Sequence, residues 1–298
     1  MTRIGAVINS NSGNLSPEET EKRLGEVKRE LEERTSPELI SMVPGDRVES
    51  EIRRLVGRQL DVLVVGGGDG TCSTASRYLA GSETALAVLA LGTRNHFARD
   101  IGVPVELPEA FALLDRMKRE RIDLGEINGT FYINNATIGL YPLLVEIREE
   151  RMEKMRLSKW PAHLSAAVSV LRWFPHMRLV IEDNDRRTGY LTPFLFVGNN
   201  EYESRMITDA TRASLQDGKL WYCLAQSQNL QTLLRTAWQL RTGGIQNTEL
   251  LQAWLTEKLT VFTTSRNRVK VAIDGEVHHF RPPLVFQTRK RILQVLVA

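Results

Sequence analysis

The stretch VVGGGDGTCST, residues 64–74, ends a run of β-formers in three glycines, an aspartate, a glycine and a threonine. Glycines that lead into a helix leave backbone N–H groups bare, and the helix N-terminus adds partial positive charge. Gly67, Gly68 and Gly70 therefore suit a phosphate. The pattern is neither G-x-G-x-x-G nor a Walker A sequence, because no lysine follows it. A carboxylate among such amides repels phosphate, so Asp69 needs a role of its own: holding Mg²⁺, orienting a hydroxyl or capping the helix. A tight turn with Asp69 or Thr71 as N-cap accounts for the same residues equally well.

A second stretch of this kind, LALGTRNHFARDIGVP at 89–104, again ends an apolar run in Gly-Thr before a short helix. Thr93 can donate a hydroxyl hydrogen bond to phosphate and Asn95 can reach a phosphate or a sugar; as turn and cap residues they would serve structure alone. The third stretch is Asp274-Gly275-Glu276 in VKVAIDGEVHHF. Asp-Gly between strands is ordinary hairpin chemistry. Moving a phosphoryl group to an alcohol, however, needs a carboxylate near the hydroxyl, and Asp274 or Glu276 could supply one.

The elements that must hold these stretches alternate over the first 125 residues. RIGAVIN reads as a buried strand, and Ser16-Pro17-Glu18-Glu19 combines a capping box with proline at the first helical position, opening a helix to about Arg34. LISMV is a second strand, Asp46 with Glu49 starts a second helix, and DVLVV is a third strand buried on both faces. A short helix follows Thr71, then TALAVLAL as a fourth strand. Strand and helix taking turns predict a parallel sheet with helices on both faces, an α/β class. The second half instead shows hairpin signals at Asn128-Gly129 and Asn184-Asp185 and several short strands, with helical stretches at about 141–174 and 229–241. A domain change falls near residue 126, giving domains 1–125 and 126–298, with the last strand able to pack back on the first.

Composition excludes several classes. The 298 residues are 42% apolar and 25% charged with a formal charge of +3, ordinary for a globular protein and no footprint for nucleic acid. No apolar run is long enough to cross a bilayer, and the N-terminal apolar stretch Ile4–Ile8 is a first strand rather than a signal sequence. Cys72 and Cys223 have no metal-ligand spacing, which fits a reduced, cytoplasmic setting.

Taken together, GGDGT at 67–71, LGTRNHFAR at 91–99 and DGE at 274–276 resemble the diacylglycerol kinase catalytic-domain family of lipid kinases. GGDGT alone is shared with NAD kinases and, more loosely, phosphofructokinases. The resemblance implies an N-terminal parallel-sheet nucleotide-binding domain of NAD kinase/phosphofructokinase type, a β-sandwich-like C-terminal domain and an active site between them. It implies ATP and Mg²⁺ as cofactors and a lipid hydroxyl, most simply that of diacylglycerol, as acceptor. Gly67, Gly68, Asp69, Gly70, Thr71, Thr93 and Asn95 would line the nucleotide, with Ser41 at the end of the second strand. Glu276 would be the general base and Asp274 its support. ASLQDGKLWY is similar to the family's metal-holding segment, implying Asp217 as a side-chain ligand with Ser214 and Lys219 through their carbonyls.

The chain departs from that pattern at His96, where the family carries Asp, and at Arg94, where the residue is usually small. The N-terminal loop keeps Asn9 and Ser12-Gly13 but lacks the usual proline and basic residues, and VGNNEYESR lacks the usual glycine cluster. Arg148, Arg151, Lys154, Arg156 and Lys159 precede an apolar helical stretch with Trp160, Trp173 and Phe174. That segment suits either reversible attachment at the inner face of a membrane or a solvated arm. The resemblance also implies a homodimer. Two alternatives remain beside a lipid kinase: a soluble kinase of NAD kinase type, and a nucleotide- or lipid-binding relative without turnover.

Overall fold

The computed structural model describes residues 2–116, 118–140, 142, 145, 176–184, 186–202, 212, 214–225, 251–264 and 268–298. The basic and aromatic segment at 148–174 and the helical stretch at 229–241 lie outside the described residues. The chain forms two compact units, the first Met1–Leu124 with Arg289–Ala298 and the second Gly125–Thr288.

The first unit is built on four parallel strands, β1 (Ile4–Asn9), β2 (Ile40–Val43), β3 (Val62–Gly67) and β4 (Ala85–Ala90), in the order β2-β1-β3-β4. β3 and β4 are buried at every position, as their unbroken apolar runs require of strands covered on both faces. Beyond β4 the sheet continues into the end of β16 (Leu284–Leu296), where Val295 pairs in parallel with Leu86. Between strands lie α1 (Pro17–Glu32), α2 (Val48–Val56), α3 (Asp69–Leu79), the one-turn α4 (His96–Asp100) and α5 (Leu107–Arg116). Right-handed crossovers running one way from β1 to β2 and the other way from β2 to β3 put α1 on one face of the sheet and α2 on the other. Arg34, just past α1, donates to both carboxylate oxygens of Asp115 in α5 and lies over the Phe111 ring, so these two helices share a face.

Local signals decide where helices begin. α1 starts on the expected capping box: Ser16 Oγ accepts from the Glu19 N–H and Glu19 accepts from the Ser16 N–H at 3.0 Å. The Asp46/Glu49 pair forms no such box. A 3₁₀ turn, Gly45–Arg47, intervenes, and α2 begins at Val48 without a side-chain cap. What fixes α2 is its apolar face, where Val48, Ile52 and Leu55 are buried. Each such side chain contributes about 1.5–3 kcal/mol, more than a missing cap forfeits.

The second unit is antiparallel. One sheet runs β12 (Leu251–Thr256), β11 (Leu220–Ala225), β10 (Phe194–Asn199), β7 (Asn135–Gly139), β14 (Val269–Ile273), β15 (Glu276–Phe280). The other runs from the start of β16 through β13 (Lys258–Thr263) and β8 (Met177–Asp183) to β9 (Arg186–Thr192). Alternate residues of both sheets, among them Ile138, Val197, Val271 and Ile273 from one and Ile181, Val261 and Phe286 from the other, form one buried core, which makes this unit a β-sandwich. The turn signals hold: Asn128 and Gly129 both have positive φ between the end of β5 (Arg119–Ile127) and β6 (Thr130–Tyr132), Asn184 does so between β8 and β9, and Asp274 with Gly275 does so between β14 and β15.

Candidate active-site residues

In the first unit the sheet order reverses between β1 and β3, and ligands of open α/β sheets gather at the carboxyl ends of strands at such a point. Four loops leave the sheet there: Ser10–Gly13 after β1, Pro44–Gly45 after β2, Gly68 after β3 and Leu91–Asn95 after β4. A cleft of about 510 Å³ opens along the first of them, lined by Ser10, Asn11, Ser12 and Gly13 with Pro17, Thr20 and Leu24 of α1.

The two glycine loops meet. A Cβ on Gly92 would collide with the Cα of Gly68, and a Cβ on Gly67 would collide with the Thr71 side chain. The amides of Leu91 and Gly92 both donate to the Gly67 carbonyl at 3.1 Å, fastening the β4 loop to the end of β3. Glycine is required here by the approach of one backbone to another. Gly68 is the N-cap of α3 and offers no side-chain acceptor to the helix.

Asp69 is therefore not the cap of its own helix. Its Oδ1 accepts from the Phe97 N–H at 3.0 Å, in the first turn of α4, so it caps the neighbouring helix and ties the two loops together. Its other carboxylate oxygen has no hydrogen-bond partner among the described residues. Asn95 is buried with left-handed φ and closes on its own turn. It accepts from the Gly92 N–H at 3.0 Å and donates to the Gly92 carbonyl at 2.9 Å. Its amide thus shapes the loop rather than reaching outward. Thr93 and Arg94 are exposed beside it and His96 opens α4. Thr71 is buried and its hydroxyl accepts from Asn9 Nδ2 at 3.5 Å, drawing the end of β1 to the GGDGT turn.

Ser41 lies apart from this arrangement. Its buried hydroxyl donates to Glu51 at 2.7 Å and accepts from Arg54 at 2.9 Å, both on α2, and hydrogen bonds from Ser41 and then Arg54 hold the Glu51 carboxyl below its ordinary range. The structure does not bring Ser41 to the loops.

In the second unit the Asp274-Gly275 turn is clamped. The Asp274 carboxylate accepts from three successive amides, Ile133 at 2.9 Å, Asn134 at 2.8 Å and Asn135 at 3.1 Å, and its own N–H donates to the Asn135 carbonyl. Sequence reading missed the residues on the other side of that segment. The buried Arg212 guanidinium donates to the Ile133 carbonyl at 2.6 Å and to Asn134 Oδ1 at 3.1 Å, while Asn199 Nδ2 donates to the Ile133 carbonyl and Tyr202 to that of Asn134. Asn199 and Tyr202 show in the sequence only as polar or aromatic residues at and just past the end of an apolar strand, and Arg212 carries no such signal. Glu276 opens β15 immediately after the turn, with its side chain 49% exposed.

At the glycine loops protein atoms fill the space a side chain on Gly67 or Gly92 would occupy. Among the described residues no group of three or more acids, histidines and cysteines gathers. Of the expected metal segment, Asp217 is exposed, Ser214 Oγ accepts from the Gln216 N–H, and the Lys219 carbonyl already accepts from the Asn200 N–H. The described residues include no helix long and apolar enough to cross a membrane.

Residues 3–127 match the family model described as diacylglycerol kinase catalytic domain. A protein named "Probable lipid kinase YegS-like" from Pseudomonas aeruginosa is 42% identical over 113 residues, covering 36% of this chain and 37% of that protein. A protein named "Diacylglycerol kinase" from Mycobacterium tuberculosis is 31% identical over 214 residues, 66% of each chain. The chain thus spans little more than a third of the first of these relatives. A crystal structure of a diacylglycerol kinase from Bacillus anthracis shares the fold, with TM-score 0.68 over 99% of this chain and 97% of that one at 16% identity.

Proposed function

We propose that this chain, which belongs through residues 3–127 to the diacylglycerol kinase catalytic-domain family, transfers the γ-phosphoryl group of ATP to a lipid hydroxyl, most simply that of diacylglycerol to give phosphatidic acid. The observation that carries the reading is the join at Asp69, where one carboxylate fixes two glycine loops at the switch point of the sheet. Bound ATP supplies the phosphoryl group and, through its own phosphates, the main hold on Mg²⁺.

The chain's residues then divide the work. The amides at the start of α3, after the Gly68 cap and through Gly70, meet phosphate oxygens, Gly67 and Gly92 let the two loops close on each other, and the exposed Thr93 hydroxyl donates a further hydrogen bond. Asp69 keeps the loops in register with one oxygen and offers the other to the nucleotide-borne cation. Glu276 takes the proton of the attacking hydroxyl, and Asp274 fixes the turn that presents it. The peripheral, cytoplasmic-face membrane attachment and the homodimer implied by resemblance belong to the same proposal.

The test is transfer of γ-labelled phosphate from ATP with Mg²⁺ to diacylglycerol, monoacylglycerol, ceramide and sphingosine in mixed micelles, with NAD as a soluble acceptor. Label in diacylglycerol is the expected result, and Glu276→Gln should lower its rate by roughly 10²–10⁴. Label in another lipid would replace the acceptor but keep the reaction. Label in NAD, or in nothing while ATP still binds, would overturn the reading.

A further inference from the structure

β15 carries two adjacent histidines that differ in every respect. In the β14–β15 hairpin Ile273 stands opposite Glu276, Val271 opposite His278 and Val269 opposite Phe280. Directly opposed residues of an antiparallel pair share a face. Val271 and Ile273 belong to the buried core, so Glu276, His278 and Phe280 lie on the core side of this edge strand, with Val269 and Phe280 packed against the core. His279 pairs with Lys270, projects to the other face and is exposed.

A core-facing position opposite a fully buried valine calls for an aliphatic or aromatic residue. Instead the imidazole of His278 sits there, its ring centroid 6.3 Å from that of Phe280. Its Nε2 is inaccessible to solvent and has no hydrogen-bond partner among the described residues. An unsatisfied buried nitrogen costs stability, and such a group asks for an explanation. The carboxylate within ion-pair reach of it is that of Glu276, with Oε2 at 3.8 Å. The gap is roughly 0.6 Å wider than the longest ordinary N–H···O hydrogen bond, and a half-exposed glutamate closes it by a torsion change.

Resting on the reading of Glu276 as the base, we propose that His278 is its positioning residue, holding the carboxylate from the core side through its Nε2–H. The proton bookkeeping is simple. The lipid O–H bond breaks as its oxygen forms the new bond to phosphorus, and the bond from phosphorus to the bridging oxygen breaks with its electron pair leaving on ADP. The hydroxyl proton goes to Glu276. His278 donates from its Nε2–H to one oxygen of the carboxylate and keeps its own proton, and the proton collected by Glu276 leaves to water from the side chain's exposed part.

The experiment pairs kinetics with a spectrum. His278→Leu should lower kcat for the accepted lipid by roughly 10–100-fold, as loss of a supporting partner does, while KM for ATP and for lipid stays within about twofold. His278→Gln, which places an amide at the same reach, should regain part of the loss, and His279→Gln should change nothing. Adding His278→Leu to Glu276→Gln should lower kcat no further than Glu276→Gln alone, because the histidine acts through the glutamate. Independently of activity, the ¹⁵N imidazole resonances of the five histidines should show a change confined to His278 in Glu276→Gln. Full kcat in His278→Leu, additive losses in the double variant, or a His278 resonance indifferent to Glu276 would each overturn the inference. Full activity in Glu276→Gln would instead remove the base reading and this inference with it.

Discussion

Asp69 and Asp274 both stand beside glycine in a turn at the end of a buried strand, yet their carboxylates do opposite things. Asp274 is consumed by its surroundings: three amides from one segment converge on it. Asp69 gives one oxygen to a single amide and keeps the other. A carboxylate surrounded by fixed donors is a structural strut with little capacity left for a ligand. One held by a single bond is positioned and still able to act. The first unit thus leaves its acid with an oxygen to spare, whereas the second uses its acid to hold still the turn that precedes Glu276.

The comparison breaks most severely if Asp274→Ala is harmless. Three donors left without their acceptor should lower unfolding stability by about 3 kcal/mol or more, seen as a lower urea midpoint at unchanged slope. Asp274→Asn, which keeps one acceptor and tolerates the left-handed backbone, should lose less. Next in size is Gly92→Ala, whose new Cβ would drive the β4 loop off Gly68. A misplacement of about 1 Å should cost on the order of a hundredfold in kcat/KM for ATP. Gly68→Ala separates packing from binding: its Cβ meets Gly92 Cα at 3.5 Å, an ordinary contact, so stability should hold even where ATP affinity changes. Asp69→Asn sharpens the contrast from the other side. The amide oxygen still caps α4, so stability should hold within about 0.5 kcal/mol, against roughly 1 kcal/mol lost in Asp69→Ala, while transfer falls in both. Smallest is Ser41→Ala, expected to leave ATP affinity, by calorimetry, unchanged. An ATP affinity lowered tenfold there would return Ser41 to the nucleotide site.

What was legible in the sequence is what is local. The Ser16/Glu19 box joins residues three apart, Asn128-Gly129 and Asp274-Gly275 adopt the backbone their types favour, and the unbroken runs of β3 and β4 announce a doubly covered sheet. The parallel α/β first half and the antiparallel second half followed from those signals. What could not be read is who meets whom at a distance. Nothing near Asp69 names Phe97 as its partner 28 positions on, and nothing near Asp274 names the amides 139–141 positions back. Ser41 looked available because it ends a strand, but Glu51 and Arg54 claim its hydroxyl from a helix face that only the folded chain brings near. The Asp46/Glu49 pair shows the converse, a local motif overruled because packing of Ile52 and Leu55 sets where α2 begins.

The last residues of the chain belong to the unit built by the first. Val295 pairs with Leu86 of β4, the Gly81 N–H donates to the Ile292 carbonyl, and the Val297 N–H donates to the carbonyl of Lys118. During synthesis the first unit is therefore incomplete until everything between has been made, on the order of ten to thirty seconds at ribosomal rates of roughly 5–20 residues per second. For that interval β4, apolar along its whole length, is an open sheet edge of the kind that recruits other chains. The order of translation makes this a protein whose earliest-made half is the last to be closed.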